Sequence, residues 1–271
     1  MKKFYLIFLA ILLCLIFTRF SSAQDHEEGL FQAVSIKLGV GFEYFSRTLS
    51  WNEEKYDTEP KLKSSFFTFN TEFELRKGFF LSAIFGYSSS NYYIIFRELP
   101  LSIGLESGGI GGYLFGAEIK KSIIFSEKLK IDGLGQFLYY LGTKKEWEIP
   151  LDTVDIEGTI EGKLRWIRAS IGPVFTYIGF ESFYPYLSLN FSKIWGRIKM
   201  DQTVQGLEGD LEGSEDKKIS GKSSFCTSLG FIYEFTDVFS IKTEANFIPY
   251  KNLEGNPGVD FGFTVRIMYS F

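Results

Sequence analysis

A chain of 271 residues with thirty Phe, fifteen Tyr, 27 Gly and seven Pro is unusually aromatic for a soluble protein, yet its mean hydropathy of +0.02 is far too polar for a bundle of membrane helices. The formal charge of −4 gives no basic footprint, and neither a basic stripe nor a nucleic-acid motif occurs, which argues against polynucleotide binding. Of the two cysteines, Cys14 falls in a leader-like segment, which leaves Cys226 without an intramolecular disulfide partner.

Lys2 and Lys3 precede an apolar run over residues 4–17, and Ser21-Ser22-Ala23 supplies small residues ahead of Gln24. The run is shorter than the roughly 20 residues that cross a bilayer, so residues 1–23 read as a cleaved signal peptide and residues 24–271 as one exported domain. Leu13 is too bulky to precede a lipidated Cys14. Residues 24–29 form a polar tail that carries His26, the chain's one histidine.

Beyond the tail the side chains alternate with the period of two that marks a strand. Val34, Ile36, Leu38, Val40, Phe42 and Tyr44 face one way, and Lys37, Gly39, Gly41 and Glu43 the other. A polar stretch over residues 47–61 interrupts the pattern. Phe67, Phe69, Phe73 and Leu75 restore it, and a reversal at Lys77-Gly78 leads into Phe79, Leu81, Ala83, Phe85 and Tyr87. Residues 88–109 read as an outer loop with some extended structure, because Pro100 cannot donate to a ladder. Strands follow over 110–125 and 129–143, then an acidic stretch over 144–161, then strands over 162–177 and 184–199. Pro173 in the first of these suggests a bulge or a strand end. A second acidic stretch covers 200–221, and strands over 225–235 and 239–247 reverse at Thr236-Asp237.

The last stretch is the most regular. Val259, Phe261, Phe263, Val265, Ile267, Tyr269 and Phe271 alternate with Asp260, Gly262, Thr264, Arg266, Met268 and Ser270. Tight turns and long polar segments also alternate along the chain, as when tight turns lie on one side of a membrane and long connections on the other. These features predict an all-β fold: a closed, antiparallel, up-and-down transmembrane β-barrel of about ten strands, with eight or twelve as alternatives. A soluble barrel with the aromatic face inward is the weaker reading, because that much side-chain volume does not fit inside.

The terminal strand resembles that of Gram-negative outer-membrane β-barrel proteins, and the mature chain resembles the OmpA and opacity type at the level of pattern. The resemblance implies an outer-membrane location, with lipid, lipopolysaccharide and the barrel-assembly machinery as partners. It also implies an assembly signal at Tyr269 and Phe271. Outer-membrane enzymes of this size generally use a histidine at the outer rim, whereas His26 stands on the opposite side in this topology, so an enzyme is not expected. No cofactor is expected either.

The acidic stretches, with Asp152, Asp155, Glu157 and Glu161, then Glu208, Asp210, Glu212, Glu215 and Asp216, match no calcium-binding spacing. They read as solubilising loop charge that could also meet an extracellular ligand. Tyr44, Tyr87, Tyr177, Trp195, Tyr233 and Tyr269 are candidates for interfacial girdles.

On the face opposite lipid lie Lys37, Glu43, Glu72, Glu74, Glu118, Lys120, Lys130, Asp132, Arg168, Glu234, Lys242, Glu244 and Arg266, otherwise among Gly, Ser and Thr. Interleaved signs in a narrow barrel are expected to pair across the interior and close it, which favours a structural or surface-interaction role over a narrow porin-like channel.

Overall fold

The computed structural model describes residues 35–50, 60–76, 78–96, 99–101, 103–149, 157–206, 209–252 and 254–271. The expected signal peptide, His26, Asp152, Asp155 and Glu208 lie outside the described residues.

The alternating segments form β1 (Ser35–Ser50), β2 (Lys61–Arg76), β3 (Phe79–Phe96), β4 (Ile103–Glu106), β5 (Ile110–Phe125), β6 (Leu129–Gly142), β7 (Lys145–Ile149), β8 (Glu157–Tyr177), β9 (Phe183–Gly206), β10 (Gly209–Gly221), β11 (Phe225–Glu234), β12 (Phe239–Lys251) and β13 (Pro257–Ser270). Their described pairings are antiparallel. The order β1-β2-β3-β5-β6-β8-β9-β11-β12-β13 closes on itself where the terminal strand lies beside the first, with Leu38 opposite Tyr269 and Val40 opposite Ile267. Among the described residues ten strands make this ring. The sheet path also takes in β7 and β10, but these and β4 extend β8, β9 and β3 above the ring.

Followed around the ring, the register climbs by roughly twelve residues, which for ten strands about 4.8 Å apart means a tilt near 40° and a backbone radius of about 10 Å. Side chains fill an interior of that size. The turns at Gly78, whose φ of 76° needs glycine, and at 126–128, 178–182 and 235–238 share one end with Ser35 and Phe271. The long hairpins leave from the other end, hereafter the outer end.

The outward face carries a continuous apolar belt that includes Phe67, Phe69, Phe85, Phe115, Phe137, Ile171, Phe191, Leu229, Phe261 and Ile267. Tyr177, Tyr233 and Tyr269 stand exposed towards its tight-turn edge, and Tyr87 and Trp195 towards its outer edge. Tyr44 is instead half-buried, with its ring 5.9 Å from that of Phe263. Such an apolar surface is stable only in lipid, where a closed ring is the one sheet form that leaves no unpaired edge. Leu229 lies within the belt, 55% exposed, while its neighbour Ser228 points inward and donates to Asn246 Oδ1 at 2.6 Å. Leu229→Arg should therefore cost about 2–4 kcal/mol in unfolding from lipid vesicles. A neutral result would reverse the face assignment.

Above the belt the pattern inverts. On β8, Ile167, Ala169 and Ile171 point outward, whereas one step higher Ile160, Leu164 and Trp166 are buried inside and Lys163 and Arg165 are exposed. On β9 the outward Leu187 and Phe191 give way to inward Ile194, Ile198 and Met200, with Arg197 and Lys199 outside. The outer part of the barrel is thus built like a soluble protein, with its apolar face inside.

Several expectations are corrected by this outer part. The acidic stretch 144–161 is largely β7 paired with the start of β8, with Lys145 opposite Gly162. Residues 200–221 form a β9–β10 hairpin from Gly206 opposite Gly209 down to Trp195 opposite Ser220. Glu215 is buried there beside Lys217 at 2.8 Å, so it is not loop charge. The 88–109 region holds the end of β3 and its partner β4. The inner face is not uniformly small and polar, because among the described residues 19 buried apolar side chains form a core, most of it in the outer part.

Pro173 causes neither a bulge nor a strand end. The register of β8 against β9 is the same on both sides of it, and only residues 172 and 173 drop out of that ladder, as a missing N–H requires.

Candidate functional site

The interior is layered. At the tight-turn end a cavity of about 290 Å³ is lined by Lys37, Glu72, Lys120, Lys130, Asp132 and Glu234, among others. Its charges pair locally: Lys120 Nζ reaches Glu72 at 3.3 Å, Lys130 reaches Asp132 at 3.3 Å on the same strand, and Tyr184 donates to Glu234 at 3.1 Å. Glu74 accepts the Gly78 N–H at 3.1 Å and thereby serves the β2–β3 turn rather than the lumen.

A belt of polar side chains crosses the barrel above this cavity. Arg266 on β13 reaches Glu118 on β5 at 3.4 Å, and Gln136 on β6 donates to the same carboxylate at 3.0 Å. Arg168 on β8 donates to Gln136 Oε1 at 3.2 Å and pairs with Glu43 on β1. β13 and β1 lie across the ring from β5, β6 and β8, so the chain of contacts spans the lumen. Lys242 and Glu244 sit 3.7 Å apart beside it, with Glu244 also accepting from Tyr186 at 2.8 Å.

A smaller chamber of about 70 Å³ follows, sharing Glu118, Leu134, Lys242 and Arg266 with the lower cavity and adding Arg47, Asn190, Ser192 and Cys226. Its roof is made by a change of partner. Above Phe45 opposite Gly262, β1 leaves β13 and pairs with the end of β10, Leu49 opposite Gly221. Buried Arg47 ties the two sides together by donating to the carbonyls of Ser192 at 3.1 Å and Ser223 at 2.8 Å. Asp260 takes the Thr48 N–H at 2.7 Å and its hydroxyl at 2.8 Å where the β1–β13 ladder has ended.

Aromatic rings then fill the bore. Trp166 is fully buried, stacked on Tyr140 at 5.3 Å and met edge-on by Phe45 at 5.5 Å, with Phe66 at 6.4 Å. Gly196 lies opposite Trp166, where an added Cβ would come within 2.9 Å of the Trp166 Cβ, so the close approach of the two strands requires glycine. Arg168 joins the layers, its guanidinium 5.3 Å from the Phe45 ring and 5.8 Å from Phe66.

Of the sequence-derived lumen set, Glu43, Glu118, Arg168 and Arg266 come together in the crossing belt, and Lys242 and Glu244 flank it. Glu72, Lys120, Lys130, Asp132, Lys37 and Glu234 stand in the lower cavity, and Glu74 at the turn. Arg47, Gln136, Tyr140 and Trp166 belong to the same device and were missed. Arg47 continues the inward parity of Lys37 and Glu43, but an expected strand end at Tyr44 hid it.

At the chain's end, Tyr269 packs against Phe239 at 4.9 Å and Phe271 at 4.8 Å, and the Phe271 N–H donates to Ile36 O at 3.0 Å. Among the described residues no group of three or more His, Cys, Asp or Glu side chains is placed to hold a metal ion.

A closed ring, an outward apolar belt and a charged interior define a transmembrane β-barrel fold. No family model and no curated protein matches the sequence. Among solved structures, the chain is similar to the outer membrane protease OmpT of Escherichia coli (10% identity, TM-score 0.48, 90% of this chain and 99% of that one). It is also similar to the translocator domain of the autotransporter NalP of Neisseria meningitidis (12%, 0.42, 97% and 96%) and to the attachment invasion locus protein Ail of Yersinia pestis (13%, 0.30, 88% and 98%). At these identities and scores the overlap transfers no activity, ligand or partner to this chain.

Proposed function

We propose that this chain is an outer-membrane barrel with a structural or surface-interaction role, exerted through its outer hairpins, and not a conducting pore or an enzyme. In mode of action this sets it beside the OmpA and opacity type. The observation that carries the reading is the double obstruction of the bore, a hydrogen-bonded charge belt from Arg266 to Glu43 followed by the Trp166 aromatic layer. A permeant ion would have to break the first and displace the second. The reading also gives Tyr269 and Phe271 to the barrel-assembly machinery, and the exposed Asp210 and Glu212 on the outer hairpin to an extracellular ligand.

The test is single-channel recording of the refolded protein in planar bilayers, with no steady conductance expected. Arg266→Ala alone should admit at most brief small openings, since the aromatic layer remains. A large, stable conductance of the unmodified protein would promote the second reading, a narrow channel, for which the cavity at the tight-turn end would be the vestibule.

A further inference from the structure

The first rows above the apolar belt carry an arrangement that folding alone disfavours. Arg165 on β8 lies directly opposite Arg197 on β9, and Arg197 lies opposite Lys218 on β10. All three are exposed on the outward face, as the burial of their inward neighbours Leu164, Trp166, Ile198, Lys217 and Ile219 requires. One row higher, Lys163 lies opposite Lys199, and one row lower Trp195 marks the edge of the belt beside Ile167. Lys193, outward and half-buried beside Ala169, adds a cation just beneath. Like charges directly opposite on neighbouring strands are destabilising, and a row of three calls for a counter-charge.

The protein supplies only part of one. Asp216 meets Arg197 at 3.4 Å, Asp201 holds Lys199 at 2.8 Å, and Glu161 pairs with Lys144. Arg165 and Lys218 have no ion pair among the described residues. The carboxylates Glu146, Glu161 and Asp201 form their own row further out. Apart from Asp216, which lies opposite Lys199, charge on this face is sorted by height, cations against the apolar belt and anions beyond it. Cations that border the apolar belt of a barrel stand at the level of lipid headgroups, and the end concerned is the one from which the long hairpins leave.

We propose that the outward faces of β8, β9 and β10 bind the phosphate groups of an anionic glycolipid of the outer leaflet, with Arg165, Arg197 and Lys218 as the phosphate ligands. Guanidinium groups offer paired donors to phosphate oxygens, and Trp195 sits where headgroup meets acyl chain. Ile167, Ile171, Phe191 and Phe225 give the chains an apolar track below. The inference rests on the chain standing in an outer membrane and is independent of whether its lumen conducts.

The test uses the chain folded in phosphatidylcholine nanodiscs and titrated with bis-phosphorylated lipid A or its dephosphorylated form. Tighter binding of the phosphorylated form is expected, weakened about thirtyfold by Arg165→Gln with Arg197→Gln and about fivefold by Lys218→Gln. Lys61→Gln with Lys63→Gln, two exposed cations on the outward face of β2, should change nothing. Equal affinity for the dephosphorylated lipid, or equal weakening by the β2 pair, would overturn the site. Displacement of the lipid by a soluble sulfated polysaccharide that binds more tightly, and with the same variant dependence, would assign the row to a soluble polyanion instead and also overturn it. If the double arginine variant does not fold, as judged by heat-modifiable gel migration, Lys218→Gln decides. Recording conductance in bilayers without glycolipid keeps the lumen reading separate, since a conducting barrel that still binds lipid A would leave this site standing.

Discussion

Replacing Trp166 by Ala should destabilise the folded barrel by about 3–5 kcal/mol, among the largest costs expected of a single truncation. The indole is fully buried and touches three aromatic rings, so its loss leaves a cavity in a bore only about 10 Å in backbone radius, where rigid walls limit collapse. Its Nε1 also donates to Ser90 Oγ at 3.3 Å, and that hydroxyl already shares a hydrogen bond with Ser64 at 2.7 Å. Trp166→Phe should cost less, because a ring can remain against Tyr140 while the Ser90 bond is lost. Denaturant unfolding from lipid vesicles measures both. A cost below about 1 kcal/mol for Trp166→Ala would mean that the aromatic layer is loosely packed and offers little obstruction. Trp166→Ala combined with Arg168→Ala removes members of both layers and should open steady conductance where Arg266→Ala alone does not.

How much of this could be read from the residues depends on which solvent each strand faces. Inside the lipid belt the contrast between Phe261, Phe263 and Ile267 outside and Arg266 inside is sharp, so the strand positions and the ring of about ten strands were legible. Above the belt both faces change meaning. Trp166 and Ile167 are consecutive large residues because the apolar face switches from inward to outward between them, and Phe66 and Phe67 on β2 do the same. In a single phase the segment beyond such a pair has the pattern of a polar loop, so the sequence shows β7, β10 and the outer parts of β8 and β9 as acidic stretches. The adjacent aromatic or aliphatic pair is the sequence mark of the inversion.

The partners of the charges were not legible at all. Glu118 and Arg266 are far apart in the chain and meet only because β5 and β13 stand across the ring. The chamber roof depends on β1 exchanging β13 for β10, which no local pattern announces.

Glu118→Ala should cost about 3–5 kcal/mol, comparable to Trp166→Ala but for a different reason. The carboxylate is 6% exposed, receives the Arg266 guanidinium at 3.4 Å and the Gln136 amide at 3.0 Å, and lines both lumen cavities. Removing it leaves Arg266 facing Lys242 across the same cavity walls with only Glu43 and Glu244 to offset its charge, and frees Gln136 from the belt that positions Arg168. The penalty is that of a buried charge left poorly compensated and exceeds the net value of the pair, which desolvation keeps small. Glu118→Ala combined with Arg266→Met therefore separates the two. If the belt is a closed electrostatic unit, the double variant should recover most of what Glu118→Ala loses, giving a coupling of about 2 kcal/mol or more in a double-mutant cycle of vesicle unfolding. Additive losses would mean that water in the lower cavity already solvates Arg266, and that the charge belt neither stabilises the barrel nor closes it.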